Sequence, residues 1–182
     1  VIRRRRIAIT AAALLAIALA NCRSHSSEEN QPLADFTLPQ TDGGTFHLHS
    51  NPPQPVLLAF LQTVPDSADT NSRREAVFVV SMQRQFASGG LRVAAIDATA
   101  LATGAPPPHD ALVNATADWQ LNFPLLEDSG SRVAREFHVT ALPTIVLLAP
   151  DGRVARRWNA FVLPAPLADA VRQLLSAHPT NG

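Results

Sequence analysis

The sequence predicts an α/β fold, with a central mixed β-sheet flanked by helices and a β-hairpin ahead of it. Three observations predict it. Residues 56–61 (VLLAFL) form a short continuous apolar run, the pattern of a central strand buried on both faces. A strand, a helix and a second strand then follow with short connections over residues 56–96, an order that favours parallel pairing through a right-handed crossover. Finally, Asp-Gly turns at residues 42–44 and 150–153 separate short segments that read as antiparallel hairpins.

The elements follow in order. Residues 36–38 and 45–48 alternate around Asp42-Gly43-Gly44, where glycine supplies the positive φ of a tight turn. After the 56–61 strand comes a polar stretch, residues 62–71. Residues 72–86 then carry helical spacing, with Ala76, Val79, Val80, Gln83 and Phe86 on one face and Met82 beside it. Ser72 is the expected N-cap, with Glu75 three residues on as its capping-box partner. Gly89 and Gly90 stop that helix, and residues 91–96 (LRVAAI) read as the next strand. Residues 98–109, with Gly104 and three consecutive prolines, read as a surface loop. A short helix is expected over 114–121, an extended segment over 123–126, and a helix over 131–137 capped by Ser131. Residues 145–148 and 154–158 read as strands of a hairpin. Pro166 is expected to open the last helix, whose apolar face carries Leu167, Ala170, Val171, Leu174 and Leu175.

The chain of 182 residues has room for one ordinary domain with appendages. Its 46% hydrophobic content suits a packed globule rather than a disordered chain. Lys plus Arg and Asp plus Glu are both 15, so bulk charge points neither to nucleic acid nor to acidic substrates. Residues 3–6 are all arginine and residues 7–20 an uncharged apolar run, the order of a secretory signal peptide, and that run is shorter than the roughly 20 residues of a membrane-spanning helix. The Leu19-Ala20-Asn21-Cys22 tetrapeptide that follows resembles the lipobox of bacterial lipoproteins, in which the cysteine is lipidated; Asn21 departs from the usual small residue. The expected organisation is a signal peptide over 1–21, a lipidated Cys22 and flexible tether over 22–32, a folded domain over 33–177 and a tail over 178–182.

Cys22 is the sole cysteine, and it lies outside the expected domain. An intrachain disulfide, a dithiol redox pair and a thiolate zinc site are thereby excluded. His47 and His49 sit at alternate positions of one segment, but two imidazoles without a third ligand do not make a metal site. Ser72, Asp69 and a histidine do not sit in a Gly-x-Ser-x-Gly nucleophile elbow. Arg132, Arg135, Arg153, Arg156 and Arg157 read as a solvated face, and Trp119 and Trp158 as core anchors.

Two separated segments make the fold more specific. FTLPQTDGGTFHL near the start and FPLLEDSGSRVAREFHVTALPTIVLLAPDGRVARRW near the end resemble the redoxin domains of the thioredoxin-like superfamily, the envelope thiol–disulfide oxidoreductases and the peroxiredoxins. The resemblance covers roughly residues 33–175 and implies a thioredoxin-like fold. It also implies that Pro143 is cis, with Leu142, Pro143 and Thr144 presenting a backbone edge to which an extended chain can bind. The family's Cys-x-x-Cys motif aligns with Asp69 and Ser72, with Arg73 at the basic position after it; the peroxiredoxin pattern matches Pro65 and again replaces sulfur. Disulfide exchange and peroxide reduction both need a thiolate as the attacking atom. The resulting expectation is an exported, membrane-anchored redoxin-like lipoprotein with degenerate positions Asp69 and Ser72 and no catalytic residue, cofactor or metal. It would face the periplasm or exterior and bind an envelope protein or peptide rather than nucleic acid, through strand-like pairing. The alternative is a thiol–disulfide oxidoreductase or antioxidant of the parent family.

Overall fold

A computed structural model describes residues 35–49, 53–63 and 70–178; Cys22, the lipobox, the tether, Pro65, Asp69 and residues 179–182 lie outside them. The described residues all belong to one compact unit, Pro32–Gly182.

Strands β1 (Thr37–Pro39) and β2 (Thr45–His47) form an antiparallel hairpin in which Leu38 faces Phe46. Its turn holds Gly43 at φ 86° while the Asp42 carboxylate accepts a hydrogen bond from the Gly44 N–H at 2.9 Å. The hairpin caps one edge of a five-stranded sheet ordered β5-β4-β3-β6-β7. Those strands are β3 (Val56–Leu61), β4 (Arg92–Asp97), β5 (Leu125–Glu127), β6 (Thr144–Leu148) and β7 (Val154–Trp158). Pairing is parallel for β3–β4 and β4–β5 and antiparallel for β3–β6 and β6–β7, so the sheet is mixed. A bridge from Gln40 to Leu126 and a hydrogen bond from Thr41 N–H to Leu125 C=O (3.1 Å) tie the hairpin to β5.

The apolar run 56–61 is fully buried because it faces two cores. Leu57, Ala59 and Leu61 pack with α1 (Thr70–Phe86) and α5 (Pro164–Ala177). Leu58 and Phe60 point the other way, into a cluster with the hairpin and α4 (Arg132–Glu136). In that second cluster the Phe137 ring lies 5.8 Å from Phe36, edge to face, and 5.4 Å from Phe60. One aromatic residue thus joins hairpin, helix end and sheet. Each fully buried Leu or Ile of these clusters contributes roughly 1.5–3 kcal/mol relative to exposure.

Four expectations change. Residues 98–109 are not simply a loop: α2 (Thr99–Thr103) forms there, because Asp97 organises the chain after β4 and Gly104, at φ 79°, closes the turn. Helix α3 spans His109–Asp118 rather than 114–121. Pro108, extended at φ −68° and ψ 152°, sets its start, Asp110 favours its first turn, and Gln120 at φ 51° follows its end. Ser131 is not a side-chain cap. It sits at φ 48° and its hydroxyl has no partner among the described residues, while Asp128 accepts hydrogen bonds from the N–H groups of Arg132 and Ala134, both at 2.9 Å. Pro164, not Pro166, takes the first position of α5.

Candidate functional site

The site is built where β3 and β4 end and α1 begins. Ser72 is not the cap of α1, which already starts at Thr70. Its side chain is fully buried, and its hydroxyl accepts a hydrogen bond from the Gln62 N–H at 3.0 Å, tying the first turn of α1 to the end of β3. An oxygen thus occupies the place where the family resemblance expects sulfur, and it is committed to holding backbone.

Glu75 does not close a capping box. It lies on the inner face of α1, and one carboxylate oxygen accepts a hydrogen bond from the Val162 N–H at 2.8 Å. The other oxygen, Oε1, is buried without a partner among the described residues. Burial raises the carboxyl to about 7, and the single backbone hydrogen bond opposes that only in part.

Beneath Gln62 lies a buried polar cluster. The Asp97 carboxylate, at the end of β4, accepts hydrogen bonds from the hydroxyls of Thr63 (2.6 Å) and Thr99 (2.5 Å) and from the Thr99 N–H (3.2 Å). The Thr63 N–H in turn donates to the Thr99 hydroxyl at 3.0 Å. Burial raises the Asp97 carboxyl and these hydrogen bonds lower it, with burial the larger effect. The cluster fixes the end of β3, α2 and the C-terminal end of β4 to one another.

Across the sheet, β6 is preceded by residues 140–143, and the Leu142–Pro143 peptide bond is cis. Pro143 and Thr144 are buried, Leu142 is half-buried and Ala141 is exposed. Thr144 therefore does not offer its side chain to a ligand: it pairs with Phe60 in the sheet, and its hydroxyl donates to the Ala141 carbonyl at 2.7 Å. Leu142 and Ala141 do face outward, on a depression of about 300 Å³ that Gln62, Leu101, Ala102, Val139 and Thr140 also line. Among the described residues, the Leu142 backbone N–H has no hydrogen-bond partner. Gln62 borders this depression and bonds to Ser72, so the structure brings the proline segment and the start of α1 together. Asp69 lies outside the described residues.

The remaining candidates are apart from this place. His47 bonds through Nδ1 to the Thr37 hydroxyl at 3.0 Å, whereas His49 pairs with Asp35 at 2.8 Å. The hydrogen bond from His49 holds the Asp35 carboxyl below its usual value. Among the described residues no cluster of three or more metal-ligating side chains forms. Trp119 is buried and Trp158 packs against the same core. Sequence reasoning named Ser72 and the proline segment through motif alignment, but missed the Thr63–Asp97–Thr99 cluster. An acidic residue closing a strand, with threonine two positions on, was the available signal.

A hairpin, a mixed sheet with helices on both faces and a cis-proline segment beside the start of α1 define a thioredoxin-like protein. The AhpC/TSA family model matches residues 30–157, and the chain belongs to that family. The family's class is thiol–disulfide oxidoreductase or peroxiredoxin, and the single cysteine of this chain is consistent with a missing active-site pair. Among solved structures, a putative thiol:disulfide interchange protein DsbE from Chlorobium tepidum aligns with a TM-score of 0.68 at 20% identity, covering 80% of this chain and 96% of that one. Peroxidoxin BcpB from Mycobacterium tuberculosis aligns with a TM-score of 0.62 at 22% identity, over 82% and 97%. StoA from Bacillus subtilis aligns with a TM-score of 0.62 at 16% identity, over 76% and 96%. These likenesses establish the fold. No curated protein matches the sequence.

Proposed function

We propose that this chain is an exported, membrane-anchored redoxin lipoprotein that binds an extended peptide or protein segment in the cell envelope and does not exchange disulfides. The observation that carries the reading is the Leu142 backbone N–H, without a partner among the described residues, at the rim of a 300 Å³ depression. A peptide laid along residues 140–142 would pair with this backbone and place an apolar side chain over Leu101 and Ala102. The chemistry of the parent class is absent for lack of an attacking atom. Ser72 is an alcohol bound to backbone, and Cys22 is the residue read as lipidated.

The test uses an array of extended peptides. The protein binds a subset, and Ala102→Glu, an exposed change at the depression, abolishes that binding without altering the fold. Equal binding by the variant removes the reading. Insulin reduction or peroxide consumption above a protein-free control that persists in Cys22→Ser would instead establish the oxidoreductase of the parent class.

A further inference from the structure

The outer face of α1 has a composition that peptide binding at residues 140–142 does not use. At 3.6 residues per turn, Arg73, Val77 and Arg84 fall within about 40° of one another around the helix. Arg74 borders the same face and lies over the Phe161 ring, 4.5 Å from its centroid. The one acidic residue of the helix, Glu75, is on the opposite, buried side. Exposed large apolar side chains are few among the described residues. Val77, at 56% exposure, stands in the middle of this face, and Leu163, at 61%, lies two residues beyond Phe161. Among the described residues, the outer face of α1 thus carries arginine and no acidic side chain of the helix itself, with Val77 exposed at its centre.

We propose that this face of α1, with the adjoining residues 161–163, docks onto an anionic phospholipid surface. Arginines framing exposed apolar side chains suit the interfacial layer, where guanidinium groups meet phosphate and aliphatic groups enter the acyl boundary. The inference rests on the reading of Cys22 as the lipid anchor only to say where the surface comes from. The segment between Cys22 and Asp35 can extend at most roughly 40 Å, so an anchored domain never leaves the neighbourhood of the bilayer.

The test separates docking from anchoring and from peptide binding. Residues 32–182, which hold both core clusters and no cysteine, are sedimented with vesicles of phosphatidylglycerol and phosphatidylcholine, or of phosphatidylcholine alone. The expected result is binding to the anionic vesicles only, lost as salt is raised to about 0.5 M. Arg84→Glu lowers partitioning about fivefold or more and Arg84→Lys retains it. Arg156→Glu, the same charge change on the exposed surface of β7, leaves it within twofold. Absence of binding, equal binding to both vesicles, or equal losses in Arg84→Glu and Arg156→Glu would overturn the proposal. The peptide array, run on the same fragment, reports on the other site independently.

Discussion

The Glu75 carboxylate accepts a hydrogen bond from the backbone N–H of Val162, 87 residues further along the chain. This contact joins α1 to the segment leading into α5 across a buried surface, and its second oxygen has no partner there among the described residues. An acidic group so placed binds its proton more tightly in the folded chain than in the unfolded one.

Stability should therefore fall as pH rises. The folded carboxyl is raised to about 7 from an ordinary 4.5. Below pH 4.5 both states are protonated and the contribution is complete; between the two values the folded state holds more proton, and above 7 the contribution is gone. The loss amounts to at most about 3 kcal/mol. Urea denaturation of wild type and Glu75→Gln at pH 5 and pH 8.5 checks this: the variant should lack most of the wild-type decline. Parallel pH profiles would count against a protonated Glu75.

Asp97 should matter to both stability and binding. Asp97→Ala leaves the hydroxyls of Thr63 and Thr99 without their shared acceptor and should cost roughly 2–3 kcal/mol. Because Thr63 adjoins Gln62 at the depression, peptide binding should weaken in the same variant. Denaturation and peptide titration read the two effects, and an unchanged affinity would separate the cluster from the site.

The start of α4 gives a contrast between neighbours. Asp128→Ala should cost about 1–2 kcal/mol, as it removes the acceptor of two helix N–H groups. Ser131→Gly should cost nothing, since glycine accommodates a φ of 48° and the hydroxyl lost has no partner among the described residues. Thermal melts of the two variants decide which residue is the cap.

Phe137→Ala should be the most damaging of these changes, at about 3–5 kcal/mol. Its ring contacts Phe36 and Phe60, so the hairpin should loosen first. Amide exchange at Leu38 and Phe46 should accelerate more than at Leu58.

The sheet was legible in the sequence because its central strands are unbroken apolar runs, and the hairpins because their turns carry Asp-Gly. Misplacements concentrated where a local signal had a distant competitor. Ser72 and Glu75 have capping-box spacing, yet each bonds outside the helix, to Gln62 and Val162. Ser131 has the right residue type for a cap, but Asp128 reaches two N–H groups from further back. Helix α2 is only 5 residues long, too short to show a period. The proline segment was legible through family resemblance, whereas the depression beside it is made by α2 and could not be anticipated without that helix.

The two flanks of the sheet differ in how they deter unwanted neighbours. β5 is bridged by the hairpin through Gln40 and Thr41, while the outer strand β7 carries the exposed Arg156. Like charges repel when two copies meet strand to strand, and covered backbone offers nothing to zip onto. Copies crowded side by side can therefore remain separate molecules, and a stray unfolded chain is steered away from both borders of the sheet.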